Sequence, residues 1–211
     1  MADTPSRLML VSPVLGVDSA FDTPFAAALG AGAFSAVILR TDREADERGM
    51  LKVLKPLVEA AQTHGAAVLI EGAPDLVGKS GADGIHTLGE AQAREAASRF
   101  KPEKILGAGG LRTRDAAMAA GELNADYVLF GDPGKGGEAP PLDSIVERLD
   151  WWSEIFVTPC VGQAEALGDV SAIAATNADF IALGSFVWTH SAGPDDAVRT
   201  ASATLVADAV R

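Results

Sequence analysis

The chain has 211 residues and a formal net charge of −12, because 29 Asp and Glu outnumber 17 Lys and Arg. Hydrophobic residues make up 48% and charged residues 22%, which is typical of a globular protein and not of a disordered one. No stripe of Lys and Arg is present to neutralise phosphates, so we expect no nucleic-acid partner. We also expect no membrane span, since no apolar run approaches the roughly 20 residues that cross a bilayer.

The single cysteine, Cys160, excludes a disulfide framework and a zinc cage built from cysteines. The first five residues lack the basic start and the apolar segment of a signal peptide, which predicts a cytoplasmic protein. At this length we expect one domain over residues 1–211. The sequence leaves the oligomeric state open, with a homo-oligomer among the alternatives.

Short apolar runs recur along the chain, and most are continuous, which is typical of parallel strands buried on both faces. Segments with helical spacing or helix-forming composition separate them. The predicted strands are residues 8–11, 36–39, 67–70, 84–86, 105–107, 127–130, 155–157 and 180–183. Eight strands alternating with helices predict an α/β fold, namely a single closed (β/α)8 TIM barrel.

Three segments share one pattern, a small residue followed by Ala, Asp and a strand. They are residues 81–85, 124–128 and 177–181. In a barrel, each pattern places its aspartate where the chain enters a strand, at the end opposite the usual active site. We therefore predict a structural role in turns for Asp83, Asp126 and Asp179.

Residues at the carboxyl ends of the strands are the first candidates for chemistry in such a barrel. Arg40 follows strand 2, and its charge requires an anion, either a ligand phosphate or Glu71 at the end of strand 3. His86 in strand 4 has an ordinary pKa near neutrality, which suits a general acid or base. The competing interpretation of His86 is a packing residue held by hydrogen bonds.

Two features predict a phosphorylated small-molecule ligand. Gly184 and Ser185 follow strand 8, where backbone N–H groups and a hydroxyl at the start of a short helix suit a phosphate. Lys135 lies in the glycine-rich loop after strand 6 and adds a point charge. The alternative is a glycine required only by a turn, together with a solvated lysine.

Six segments of the chain resemble the thiamine-phosphate synthase and TenI family. They are residues 8–12, 34–40, 81–86, 105–107, 124–133 and 177–185. The resemblance extends over nearly the whole chain. It implies a TIM barrel of thiamine biosynthesis, a transferase that joins a hydroxymethylpyrimidine diphosphate to a thiazole phosphate. In that family Mg²⁺ holds the leaving diphosphate, whereas TenI relatives share the fold and differ in chemistry or role.

Matched position by position, the resemblance implies that Ser185 holds the thiazole phosphate with help from Lys135. It implies that Arg40 faces the diphosphate or the pyrimidine. Magnesium would have to be recruited by Glu71 or Glu90.

The chain departs from the family pattern at the diphosphate end. Glu71 and Gly72 stand where the family has Asn and Asp, and no Asp follows the His86 segment, where Glu90 is the nearest substitute. Where the family has a glycine pair after strand 7, this chain has the segment that begins at Thr158. Loss of metal carboxylates removes stabilisation of a leaving diphosphate, so the pattern predicts weakened synthase activity.

Two other functions stay open on the sequence. One is a non-catalytic TenI-like protein that binds a phosphorylated ligand or regulates through it. The other is a barrel enzyme that acts on a different phosphorylated small molecule and uses Glu71 or His86 as acid or base.

Overall fold

The computed structural model describes residues 6–133 and 138–209. Eight parallel strands close into a barrel in sequence order, which confirms the predicted TIM barrel. The strands are β1 Arg7–Leu15, β2 Phe34–Thr41, β3 Ala67–Glu71, β4 Gly84–Leu88, β5 Ile105–Gly109, β6 Tyr127–Phe130, β7 Cys160–Ala164 and β8 Phe180–Leu183. The helices are α1 Asp22–Ala31, α2 Glu47–Thr63, α3 Leu76–Ser80, α4 Glu90–Phe100, α5 Arg114–Glu122, α6 Leu142–Ile155, α7 Asp169–Ala174, α8 Phe186–Thr189 and α9 Pro194–Ala209.

Strand 7 lies later in the chain than the sequence predicts. The predicted run at 155–157 is instead the end of α6 and its exit, and Val157 is 99% exposed. The observed β7 begins at Cys160, and all five of its residues are buried. The strand was missed because Gly162 and Gln163 interrupt its apolar pattern. Its carboxyl end is therefore followed by Glu165 and not by the segment at 158–160.

Side chains of the strands alternate between two buried layers. The larger layer packs the outward-facing residues against the ring of helices. The smaller layer fills the barrel interior and is made of Met9, Val11, Ala36, Ile38, Leu69, Tyr127, Leu129, Val161 and Ala182. Because this layer closes the lower barrel, inward-facing residues nearer the carboxyl ends of the strands form the floor of the mouth.

The three predicted turn aspartates each close a strand entry in the same way. The carboxylates of Asp83, Asp126 and Asp179 accept hydrogen bonds of 2.8, 2.7 and 2.9 Å from the backbone N–H groups of Val68, Leu106 and Cys160. The backbone N–H of each aspartate donates in return to the carbonyl of the same partner. These reciprocal pairs satisfy backbone groups at the starts of β3, β5 and β7, which supports the structural role.

No helix in the described ranges is both long and apolar enough to cross a membrane.

Candidate functional site

Three of the predicted site residues form a row across neighbouring strands at the barrel mouth. Arg40 of β2 is in register with Glu71 of β3, and Glu71 is in register with His86 of β4. Ile38 and Leu69, two residues earlier in their strands, belong to the interior layer. Since alternate residues share a face, Arg40 and Glu71 also point inward, one level above that layer.

Arg40 and Glu71 form an ion pair, with Arg40 Nε 3.2 Å from Glu71 Oε1. The pair is mostly buried, since the side chains are only 22% and 11% exposed. Burial raises the pKa of the Glu71 carboxyl above its ordinary value, and the Arg40 guanidinium opposes that rise. Of the two anions that the sequence allowed for Arg40, the structure provides Glu71.

Backbone contacts fix this pair in place. The hydroxyl of Thr41 donates to the Glu71 carbonyl over 2.7 Å, and the Arg40 N–H donates to the Ser12 hydroxyl over 2.9 Å. Both bonds join neighbouring strands at the mouth, so they link the backbone that carries the ion pair to β1 and β3.

His86 is a buried, neutral histidine that pairs with Tyr127. Its Nδ1 lies 2.8 Å from the Tyr127 hydroxyl oxygen. Burial, with Arg40 nearby, lowers the pKa of His86 to about 3, so the imidazole is uncharged at neutral pH. Burial also holds the pKa of Tyr127 well above its ordinary value. The Tyr127 ring occupies the space beside Gly107, where a Cβ would lie 2.2 Å from the ring.

The end of β5 is shaped to admit two polar groups. A Cβ on Gly109 would lie 2.7 Å from His86 Nε2 and 2.8 Å from Asp132 Oδ2. Asp132 Oδ2 accepts a 2.6 Å hydrogen bond from the Gly110 N–H, and Arg112 Nη2 donates to the Asp132 carbonyl over 3.1 Å. Glycine at position 109 therefore lets a carboxylate and an imidazole approach the same point of the mouth.

The turn after β8 already binds an anion of the chain itself. Ser185 donates to Glu165 Oε2 from its hydroxyl over 2.5 Å and from its backbone N–H over 3.1 Å. Gln163 donates to the other oxygen, Glu165 Oε1. A Cβ on Gly184 would lie 2.6 Å from Glu165 Oε1, so glycine is needed for the carboxylate to enter. The Ser185 donors, which the sequence predicts to bind a phosphate, are present and bind the Glu165 carboxylate.

The described residues do not assemble a magnesium site. They contain no group of three or more His, Cys, Asp or Glu side chains placed to hold a metal ion. Glu90 lies in the first turn of α4 and pairs with Arg94 over 2.8 Å, while Glu71 is paired with Arg40. Magnesium prefers several convergent oxygen ligands, and these two carboxylates are each engaged by a cation.

The predicted phosphate ligand Lys135 lies outside the described residues, which stop at 133 and resume at 138. Among the residues that pair with the predicted site residues, Tyr127 and Glu165 were missed on the sequence. Tyr127 is the only tyrosine of the chain, and this was the one feature of the sequence that could have drawn attention to it. Glu165 was missed because strand 7 was placed too early, so that its end was read at the wrong residues.

Known proteins resemble this chain over most of its length. Residues 17–187 match the family model described as thiamine monophosphate synthase. A thiamine-phosphate synthase of Rhodospirillum centenum is 38% identical over 205 residues, covering 92% of this chain and 95% of that protein. One of Hyphomonas neptunium is 34% identical, covering 94% and 93%.

Among solved structures, the thiamine phosphate pyrophosphorylase of Pyrococcus furiosus superposes with a TM-score of 0.78 at 20% identity, covering 96% of each chain. This likeness supports the barrel fold. The match of the family model and the identity to the two synthases show that the chain belongs to the thiamine monophosphate synthase family.

Proposed function

We propose that this protein is a thiamine-phosphate synthase-like barrel that binds a phosphorylated thiazole and a pyrimidine at its mouth, with a weakened step for release of diphosphate. The observation that carries the proposal is the presence of Arg40, His86 and Ser185, which match the family pattern, at the mouth of a barrel of this family. The curated relatives bear the name of the synthase. Diphosphate release calls for concentrated positive charge, and here Arg40 is engaged by Glu71.

In this proposal Gly184 and Ser185 hold the phosphate of the thiazole after the Glu165 side chain has turned away. Lys135 contributes its charge from the loop after β6. The Ser185 hydroxyl and N–H supply two donors to the phosphate, as they now do to Glu165. Arg40 and Glu71 face the pyrimidine diphosphate.

The test is formation of thiamine phosphate from hydroxymethylpyrimidine diphosphate and thiazole phosphate with Mg²⁺ present, in parallel with the Rhodospirillum centenum enzyme. We expect product at a rate at least about a hundredfold lower, equivalent to a barrier higher by about 2.7 kcal/mol. A rate equal to that of the relative would contradict the weakened step. Failure to bind either substrate would contradict the proposal as a whole.

A second candidate function is favoured by one observation, the burial of the Glu71 carboxyl, which raises its pKa. A carboxylate with such a pKa beside a cation suits general acid or base catalysis on another phosphorylated small molecule.

Thiazole phosphate bound without any product would instead indicate a non-catalytic relative. Glu71→Gln separates these outcomes, because it abolishes acid–base turnover and leaves the binding of a thiazole phosphate intact.

A further inference from the structure

The contact between Tyr127 and His86 defines where the histidine proton lies. Among the residues that the structure describes, the Tyr127 hydroxyl has His86 Nδ1 as its one hydrogen-bond partner, at 2.8 Å. Tyr127 is only 5% exposed, and a buried hydroxyl without an acceptor is costly. The hydroxyl therefore donates to Nδ1, which must be unprotonated, and the proton of the neutral imidazole is on Nε2.

Nε2 is turned toward the mouth. It lies close to the position that a Cβ of Gly109 would take, as does Asp132 Oδ2. No hydrogen bond to Nε2 is present among the described residues. In the part of the chain that the structure describes, every fully buried side-chain nitrogen or oxygen has a hydrogen-bond partner. Because Nε2 has no partner there, it is not fully buried and remains in contact with solvent. Its N–H is thus available to a molecule that enters the mouth.

We propose that Tyr127 is a positioning residue that holds His86 as a neutral imidazole whose Nε2–H donates a hydrogen bond to an acceptor atom of the bound ligand. The inference rests on the proposed function only for the identity of that ligand. Tyr127 has no direct contact with the ligand in this account. Its ring packs beside Gly107, and its hydroxyl sets the tautomer and the orientation of the imidazole.

The charge of the surroundings agrees with a donor that stays neutral. Burial and the nearby Arg40 both disfavour an imidazolium, which places the pKa of His86 at about 3. Glu71 and Asp132 also face this region, and Arg40 pairs with the former. A neutral N–H donor suits a ring nitrogen or an oxygen acceptor and requires no proton transfer.

The tautomer is measured by NMR of protein labelled with ¹⁵N-histidine at pH 7. The chain has three histidines, so His64 and His190 are internal references in every spectrum. For the wild type we expect the Nε2-protonated tautomer of His86 alone. In Tyr127→Phe, which keeps the ring beside Gly107, we expect both tautomers of His86 and unchanged reference signals.

A wild-type His86 protonated on Nδ1, or a Tyr127→Phe spectrum identical to that of the wild type, would overturn the positioning role. A thermal melt of the variant verifies that it is folded. If Tyr127→Phe does not fold, the wild-type tautomer alone decides, because protonation on Nδ1 contradicts the proposal and protonation on Nε2 supports it.

The donor role is tested by adding hydroxymethylpyrimidine diphosphate or thiazole phosphate separately to the labelled protein. One of them should move the His86 Nε2–H signal, and its affinity should fall about fivefold in Tyr127→Phe, as expected for one neutral hydrogen bond. A ligand that binds and leaves this signal in place would overturn the donor role while the proposed function stands. If neither ligand binds, the proposed function and the donor role both fail, and the tautomer still decides the role of Tyr127.

Discussion

Glu165 is the residue that distinguishes this mouth from an open anion site. Its carboxylate accepts two hydrogen bonds from Ser185 and one from Gln163. A phosphate at the same donors must displace it or lie beside it, and two anions a few ångströms apart repel each other. The side chain is therefore an internal competitor for the phosphorylated ligand of the proposed function.

Replacing Glu165 should strengthen the binding of thiazole phosphate. We expect Glu165→Ala and Glu165→Gln to bind it about tenfold more tightly or better, a gain of about 1.4 kcal/mol, in isothermal titration calorimetry. The thiazole without its phosphate should bind all three proteins alike. Glu154→Ala is the matched control, since it removes one exposed carboxylate at the far end of α6. An equal gain in that control would attribute the effect to net charge and refute the competition.

Arg40→Ala should destabilise the protein in a pH-dependent manner. The variant leaves Glu71 buried without its cation, so the pKa of this carboxyl, already raised by burial, rises further. The folded state then binds a proton that the unfolded state releases, and stability falls as pH rises above the ordinary Glu value of 4.5. We expect a loss of about 1–3 kcal/mol at pH 7, because this pair is mostly but not fully buried and loss of one partner costs less than in a fully buried pair.

Urea denaturation of the wild type and Arg40→Ala at pH 4.5 and pH 7 measures this effect. The difference between the two proteins should shrink at the lower pH, where Glu71 is protonated in the variant. A difference that is constant with pH would mean that Arg40 stabilises the fold through packing alone.

At the scale of elements, the sequence predicts a strand well where the residues of that strand themselves form a continuous apolar run. The continuous apolar run at residues 127–130 predicts β6 with the bounds that the structure has, Tyr127–Phe130. β7 was predicted too early because its buried residues include Gly162 and Gln163, whose burial depends on neighbouring strands and not on their own polarity. Because strand 7 was placed too early, Glu165 was not recognised as the residue that follows its carboxyl end.

The aspartate at each repeated strand entry is expected to stabilise the barrel by a similar amount. In Asp179→Ala the Cys160 N–H loses its acceptor, which should lower the free energy of unfolding by about 1–2 kcal/mol. Asp179→Asn keeps a side-chain oxygen and should recover most of that loss. Chemical denaturation of the three proteins compares them, and a full loss in Asp179→Asn would show that charge and not hydrogen bonding is responsible.

For the whole molecule, the order of buried runs was sufficient to predict the barrel, since eight strands with intervening helices close in sequence order. The same order placed Arg40, Glu71 and His86 at the mouth. It allowed Glu71 as one of two anions for Arg40 and did not predict the pairing of His86 with Tyr127, because both contacts depend on strand register. His86 and Tyr127 are 41 residues apart in the chain, so their side chains meet only in the folded barrel.

The central claim is that the turn after β8 grips a phosphorylated thiazole through Ser185. Calorimetric titration of thiazole phosphate into the wild type and into Ser185→Ala tests it most directly. Loss of the hydroxyl donor should weaken binding about tenfold, as for a hydrogen bond to a charged group, and leave the affinity for the unphosphorylated thiazole unchanged. Equal affinities of the two proteins for thiazole phosphate would contradict the claim.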